Sequence, residues 1–286
     1  MTGTILENQG VVPRFQVIRE IFRRRSDFHD IAFIEAKGMG KLLVLDSVIQ
    51  ISTADHFFFH EMLVHVPLLS LNAARRVLVI GVGSGGVLGE IFKHPEIQEV
   101  VALEIDPLVV HFSEKHLPEL NQSGEVFRDP RLKLHFEEAS QFLQKYRGEP
   151  FDAILVNSTD PNAVSNPLFT QDFYRRCKEV LQSDGVLVAQ TGAPTLEKQL
   201  VRDVSGHFRK VFPWHGCYLT CVPAYMCGYF TLSWASSNLN LKVIPSEALQ
   251  KKFSKLLGPC FVYNPGLHRA SFELPNWYRH LITTLP

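Results

Sequence analysis

Between Arg76 and Gln190 the chain alternates between two hydrophobic rhythms. Short apolar runs of strand length fall at Val77–Ile80, Val100–Ile105, Leu132–Phe136, Ala153–Val156 and Gly185–Gln190. Segments with helical spacing separate them, at Val87–Lys93, Leu108–Lys115, Ser140–Tyr146 and Phe173–Leu181. A strand that is apolar at nearly every position is buried on both faces, so this alternation predicts a parallel sheet covered by helices. Upstream the rhythm differs. Phe15–Phe22, Ile31–Glu35 and Lys41–Leu45 are β-prone, with turns expected at Arg24–Asp27 and Lys37–Gly40, which predicts a small antiparallel sheet. From Asp55 to Leu69 the period becomes helical: Phe58, Met62 and Leu63 share a face, and Asp55 supplies an acidic residue at the N-terminus. The chain therefore divides into a β domain over residues 1–54 and an α/β domain over 55–286. Residues 239–260 carry the weakest pattern.

Composition narrows the function classes. Lys and Arg number 29, as do Asp and Glu, so no overall field attracts nucleic acid, and none is expected as a partner. Arg23, Arg24 and Arg25 form a short basic run, read as a solvated strand end. Cys177, Cys217, Cys221, Cys227 and Cys260 include no CxxC pair and no zinc-type spacing with histidine, so free thiols and no metal are expected. The N-terminal segment lacks a basic stretch followed by an apolar one, and no window has the length of apolar sequence needed to span a bilayer; a cytoplasmic protein without a membrane partner is expected.

Candidate chemistry begins after the first strand of the alternation. Gly81-Val82-Gly83-Ser84-Gly85-Gly86 leads from that strand into a helix, where glycines permit a tight turn and close approach of a ligand to the backbone. About twenty residues on, the second strand ends in Glu104-Ile105-Asp106, where a carboxylate accepts from ribose hydroxyls. Glu137 and Glu138 end the third strand, beside the position of an adenine amino group. Strand, glycines and acid together point to a dinucleotide or an S-adenosyl sulfonium compound.

Several further segments resemble the spermidine synthases. Leu45–Gln50 is similar to their LDGVIQ stretch, Asp55–Met62 to DEFxYHEM, Gly81–Gly86 to GGGDGG and Glu104–Asp106 to EID. Asn157–Pro161 resembles DSSDP, Val222–Tyr225 resembles IPTY, and Tyr263-Asn264 with His268–Pro275 resembles YN…HRAAFxLP. The resemblance implies a Rossmann-like S-adenosyl-binding domain of α/β class behind a small N-terminal antiparallel β domain, assembled as homodimers or homotetramers. It implies transfer of an aminopropyl group from decarboxylated S-adenosylmethionine to the amine putrescine, leaving methylthioadenosine. It places Gln50, His60, Gly81, Gly83, Ser84, Gly85, Glu104, Glu138 and Ala139 at the donor, and Asp55, Asn157, Asp160 and Tyr225 at the acceptor and the chemistry. Loop Pro161–Asn166 is expected to act as a lid.

The departures fall in the two ligand pockets. Asn157 stands where the family has its proton-accepting aspartate, and an amide accepts no proton at neutral pH. Ser84 replaces the carboxylate that faces the donor's ammonium, Phe59 replaces a tyrosine, His29 a glutamine and Ser47 a glycine. A less acidic pocket disfavours the doubly positive decarboxylated donor, and Ser84 beside a helix N-terminus suits a carboxylate. These substitutions lean towards intact S-adenosylmethionine as donor, with methyl or 3-amino-3-carboxypropyl transfer to an amine. Aminopropyl transfer that relies on Asp55 and Asp160 is the alternative, and a non-catalytic partner subunit is a third.

Overall fold

The computed structural model describes residues 15–162 and 164–283. The N-terminal sheet consists of β1 (Val17–Arg25), β2 (Asp30–Ala36), β3 (Gly40–Leu45) and β4 (Val48–Ser52), antiparallel and in chain order. Alternation along β2 and β3 sends Ile31, Phe33, Leu43 and Leu45 to one face and Ala32, Ile34, Leu42 and Val44 to the other, and both faces are covered. β1 runs on through the arginines to Arg25, so the turn begins at Ser26, two residues later than the turn expected at Arg24. Arg23 pairs with Glu20 and Asp30, and Arg25 with Asp46, as befits a solvated strand end.

The β3–β4 turn is two residues long. Asp46 and Ser47 both have positive φ (50° and 69°), the geometry that matches a hairpin's twist. A side chain in this region costs about 1–2 kcal/mol. Asp46 offsets part of that cost by accepting from the Asp30 N–H (2.9 Å) and pairing with His29 Nδ1 (2.8 Å).

Helix α1 (His56–Ser70) follows, and from Phe59 to Ser70 every residue is buried. It therefore has no polar face, and the apolar stripe expected from Phe58, Met62 and Leu63 widens to the full circumference beneath the main sheet. That sheet alternates with helices: β5 (Arg76–Ile80), α2 (Gly86–Phe92), β6 (Glu99–Glu104), α3 (Pro107–His116), α4 (Pro118–Asn121), β7 (Leu132–Phe136), α5 (Ala139–Lys145), β8 (Phe151–Val156), α6 (Gln171–Glu179), β9 (Leu181–Gln190) and α7 (Lys198–Val211). β10 (Trp214–Cys221) and β11 (Tyr229–Ser236) complete it, followed by α8 (Ser246–Phe253), α9 (Pro265–Ala270) and α10 (Asn276–Thr283).

The sheet order is β10-β11-β9-β8-β5-β6-β7. Pairing is parallel from β7 to β9, but β11 pairs antiparallel with both β9 and β10. The five strands of the alternation thus form the parallel sheet expected of them, and a hairpin of β10 and β11 extends it antiparallel at one side. The reversal of strand order lies between β5 and β8, and in open α/β sheets ligands bind in the crevice at that point. Among the described residues no helix is long and apolar enough to cross a membrane.

Candidate active site

A cavity opens at that crevice, between the carboxyl ends of β5, β6 and β8 and the N-terminal sheet. Its wall includes Gln50, His60, Gly81, Gly83, Ser84, Glu104, Glu138, Ala139, Asn157, Asp160 and Tyr225, brought together from segments distant in sequence. Gly85 and Asp55 lie outside that wall. A Cβ on Gly85 would meet Phe127, Asn121 and Val126, so that glycine packs the loop against the protein. Asp55 Oδ2 accepts from the Ala224 N–H (2.5 Å), which anchors the turn carrying Tyr225. Burial pushes the Asp55 carboxyl up. It stands at the N-cap position of α1, as its place in the sequence suggests, and its side chain makes no capping hydrogen bond there.

The glycine loop is shaped by its neighbours. Gly81 has φ 84°, and a Cβ there would collide with the Asn157 carbonyl. Gly86 leaves room for the His60 ring, which occupies the space of the missing side chain. Glu104 Oε2 accepts from the N–H groups of Val82 (3.1 Å) and Gly83 (3.0 Å), and Oε1 from Asp106 N–H (3.2 Å). The carboxylate at the end of β6 thus braces the loop as well as facing the cavity. Burial raises its pKa, and the three amides oppose the rise. Glu138 caps α5, accepting from Ser140 N–H (2.8 Å) and Gln141 N–H (2.9 Å). Glu137 joins it in the cavity wall.

His60 is buried, 3.4 Å from His56 between their Nδ1 atoms. Burial, and then the charge of His56, hold its pKa well below the ordinary value, so it is neutral at pH 7. Gln50 comes from β4, and its backbone oxygen accepts from the Tyr225 hydroxyl at 2.7 Å. Tyr225 continues into an apolar wall: its ring lies 5.4 Å from Phe230, and Phe230 lies edge-on to Phe59 at 5.7 Å. Phe59 therefore contributes a surface suited to methylene groups where a tyrosine would add a hydroxyl.

The loop after β8 carries the substitution of greatest chemical consequence. Asn157 Nδ2 donates to the Gly81 carbonyl at 2.9 Å. A carboxylate cannot make this bond, because it has no proton to donate. One polar residue that binds Asp160 in the wall, Gln190, was not singled out from sequence. Gln190, the last residue of β9, donates through Nε2 to the Ser158 carbonyl (3.0 Å) and to Asp160 Oδ1 (3.4 Å). His29 reaches the cavity with Nδ1 held by Asp46. The position of Gln190 at the carboxyl end of a predicted strand was the available signal. Next to them the Ser165 hydroxyl donates to the Asp160 carbonyl (2.6 Å), and Val164 and Ser165 join the wall.

This geometry agrees with comparisons made on sequence and structure. Residues 56–244 match the family model described as "Spermine/spermidine synthase domain", and residues 5–53 match "Spermidine synthase tetramerisation domain". The chain belongs to the spermine/spermidine synthase family. A family relative from Pseudomonas aeruginosa, polyamine aminopropyltransferase 1, is 37% identical over 94% of this chain and 93% of its own. The polyamine aminopropyltransferase of Pseudomonas syringae pv. tomato is 34% identical over 96% of this chain and 95% of its own. Among solved members of the family, a spermidine synthase in complex with the transition state analogue AdoDATO superposes with a TM-score of 0.89 at 30% identity, covering 96% of this chain and 92% of that one. The spermidine synthase from Thermotoga maritima gives 0.88 at 30% identity, covering 96% and 91%.

One expectation follows for the donor side. Glu104→Gln should weaken binding of methylthioadenosine by about tenfold or more, since hydrogen bonds to a charged acceptor contribute roughly 1.5–3 kcal/mol. Calorimetric titration of the folded variant checks this, and unchanged affinity would remove Glu104 from the adenosyl site.

Proposed function

We propose that this protein is a polyamine aminopropyltransferase. It transfers the aminopropyl group of decarboxylated S-adenosylmethionine to an alkyl diamine of the putrescine class, releasing methylthioadenosine. The observation that carries the reading is the cavity itself. Asp160, Gln190 and Tyr225 stand together beside the glycine loop and Glu104, with an aromatic wall of Phe59 and Phe230 between polar ends. That combination suits a methylene chain bearing an amine. The names of the relatives favour this reading over the lean towards intact S-adenosylmethionine drawn from the substitutions. In the reaction, Glu104 and Gln50 orient the donor, with the neutral His60 ring packed at Gly86. Asp160, Gln190 and Tyr225 hold the acceptor amine, and Asp55 fixes the turn that carries Tyr225. Loop 161–166, of which residue 163 lies outside the described residues, acts as a lid for the acceptor side. The chain works as a homo-oligomer, dimer or tetramer, with its N-terminal sheet at the assembly interface, as the name of the matching family model suggests.

A second reading is favoured by one specific observation: residue 84 is serine, so the donor's ammonium finds no carboxylate there. Intact S-adenosylmethionine, with methyl or 3-amino-3-carboxypropyl transfer, fits that feature. One experiment separates the readings. The protein is incubated with putrescine and each donor in turn, and products are identified by mass. Spermidine and methylthioadenosine from the decarboxylated donor support aminopropyl transfer. A methylated or carboxypropylated amine from the intact donor supports the second reading, and no product from either donor sinks both.

A further inference from the structure

The acceptor of an aminopropyl transfer reaches the site as an ammonium, with a pKa near that of lysine, about 10.4, and a nitrogen that carries a proton has no lone pair to attack with. Some group must take that proton. Residue 157 cannot: it is an amide, and its Nδ2 is committed to the Gly81 carbonyl. Flipping the amide would set oxygen against oxygen, so the orientation is fixed by the loop.

Four other polar groups of the cavity are occupied or unsuited. Glu104 holds three backbone amides, and Glu138 caps α5. His60 is kept from accepting a proton by its burial. The Tyr225 hydroxyl donates to Gln50, and burial holds its proton tightly. Asp160 differs. It is three residues beyond Asn157 in the same loop, it lines the cavity, and its carboxylate accepts one long bond, from Gln190 Nε2 at 3.4 Å. No salt bridge engages it among the described residues.

Resting on the aminopropyl-transfer reading, we propose that Asp160 is the proton acceptor of this chain, combining amine binding with general-base work. The acceptor ammonium gives one proton to the Asp160 carboxylate. The freed nitrogen lone pair then forms a bond to the donor's methylene carbon next to sulfur. The carbon–sulfur bond breaks with its electron pair going to sulfur, which becomes the neutral thioether of methylthioadenosine. The new secondary amine leaves as an ammonium, and the proton on Asp160 passes to water. Burial favours this step. It raises the Asp160 pKa, against the opposing Gln190 bond, and each unit of the rise narrows the gap to the amine about tenfold. Tyr225 and Cys227 feel its charge, and burial holds both protonated.

The test uses the full-length protein, decarboxylated S-adenosylmethionine and two acceptors. One is putrescine. The other is an isostere carrying an aminooxy group, whose nitrogen is already unprotonated at neutral pH. Asp160→Asn keeps the shape, and calorimetry with methylthioadenosine verifies its donor site. With putrescine, kcat should fall about 100-fold or more, the range expected for loss of a general base. With the aminooxy acceptor the loss should shrink to less than about tenfold. In the wild type, kcat/KM for putrescine should fall on acidification through the raised Asp160 pKa, and this limb should vanish in the variant. An equal loss with both acceptors would reduce Asp160 to a positioning residue and overturn the proposal. So would an acceptor-dependent loss in His29→Gln instead, which would give the proton to the His29–Asp46 pair. If the wild type forms no methylthioadenosine with either acceptor, the aminopropyl-transfer reading itself fails.

Discussion

Ser84→Asp should tighten binding of decarboxylated S-adenosylmethionine by more than about tenfold and weaken binding of the intact donor. The residue lies in the glycine loop at the cavity wall, buried, and its hydroxyl accepts a long bond of 3.4 Å from the Gly86 N–H. A carboxylate there adds attraction to the lone ammonium of the decarboxylated donor and repulsion to the carboxylate of the intact one. At a separation of about 4 Å and an effective dielectric near 20, the Coulomb energy of such a pair is about 4 kcal/mol. If desolvation of the new side chain cancels half, about 2 kcal/mol remains, which exceeds a tenfold change in affinity. The two donors respond with opposite sign, so the ratio of their dissociation constants moves further than either constant alone. Titration of wild type and variant with both donors reads this directly. An unchanged ratio would show that the charged tail of the donor lies away from position 84, and the argument from that substitution would fall.

Glu61→Gln should lower stability by about 2–4 kcal/mol. Glu61 is fully buried on α1, next to His60 but turned to the opposite partner. Its Oε1 accepts from the Phe261 N–H (2.7 Å), and its Oε2 from the N–H groups of Val262 (2.9 Å) and Tyr263 (2.7 Å). The carboxylate thus satisfies three successive backbone donors in the segment between α8 and α9. An amide keeps one acceptor oxygen and turns its NH₂ towards the remaining donors. Each buried donor left unsatisfied costs roughly 1–3 kcal/mol. At about 2–4 °C per kcal/mol for a protein near this size, the midpoint of thermal unfolding should fall by about 5–15 °C. Calorimetry or circular dichroism checks it, and a fall below about 3 °C would show that the segment relaxes to find other acceptors.

The elements that were legible in sequence are those with local causes. The strands of the α/β domain read correctly because burial on both faces makes nearly every position apolar, as in Val77–Ile80. The short strand β4 and the hairpin of β10 and β11 were harder. β4 opens directly from a two-residue turn, and the antiparallel pairing of β11 with β9 is a long-range choice that composition does not encode. The wide burial of α1 was hidden for a similar reason: His60, Glu61 and His65 look like polar positions until their partners from α2 and the C-terminal segment are in place.

The site divides in the same way. The order of residues along the chain determined the glycine loop, the acid at the end of β6 and the cluster of substitutions at Ser84, Asn157 and Phe59, because each follows from side-chain chemistry at a position marked by strand, turn or resemblance. Tertiary structure decided which polar groups remain available for chemistry. Glu104 and Glu138 spend hydrogen-bonding capacity on backbone amides, Asp55 anchors the Tyr225 turn from outside the cavity wall, and Asn157 is tied to Gly81. Asp160 keeps its carboxylate nearly unengaged, with Gln190 from a different strand as its hydrogen-bond partner. A side chain's type is local, whereas the partners that occupy it come from anywhere in the fold, so the commitment of each group is set only when the strands meet.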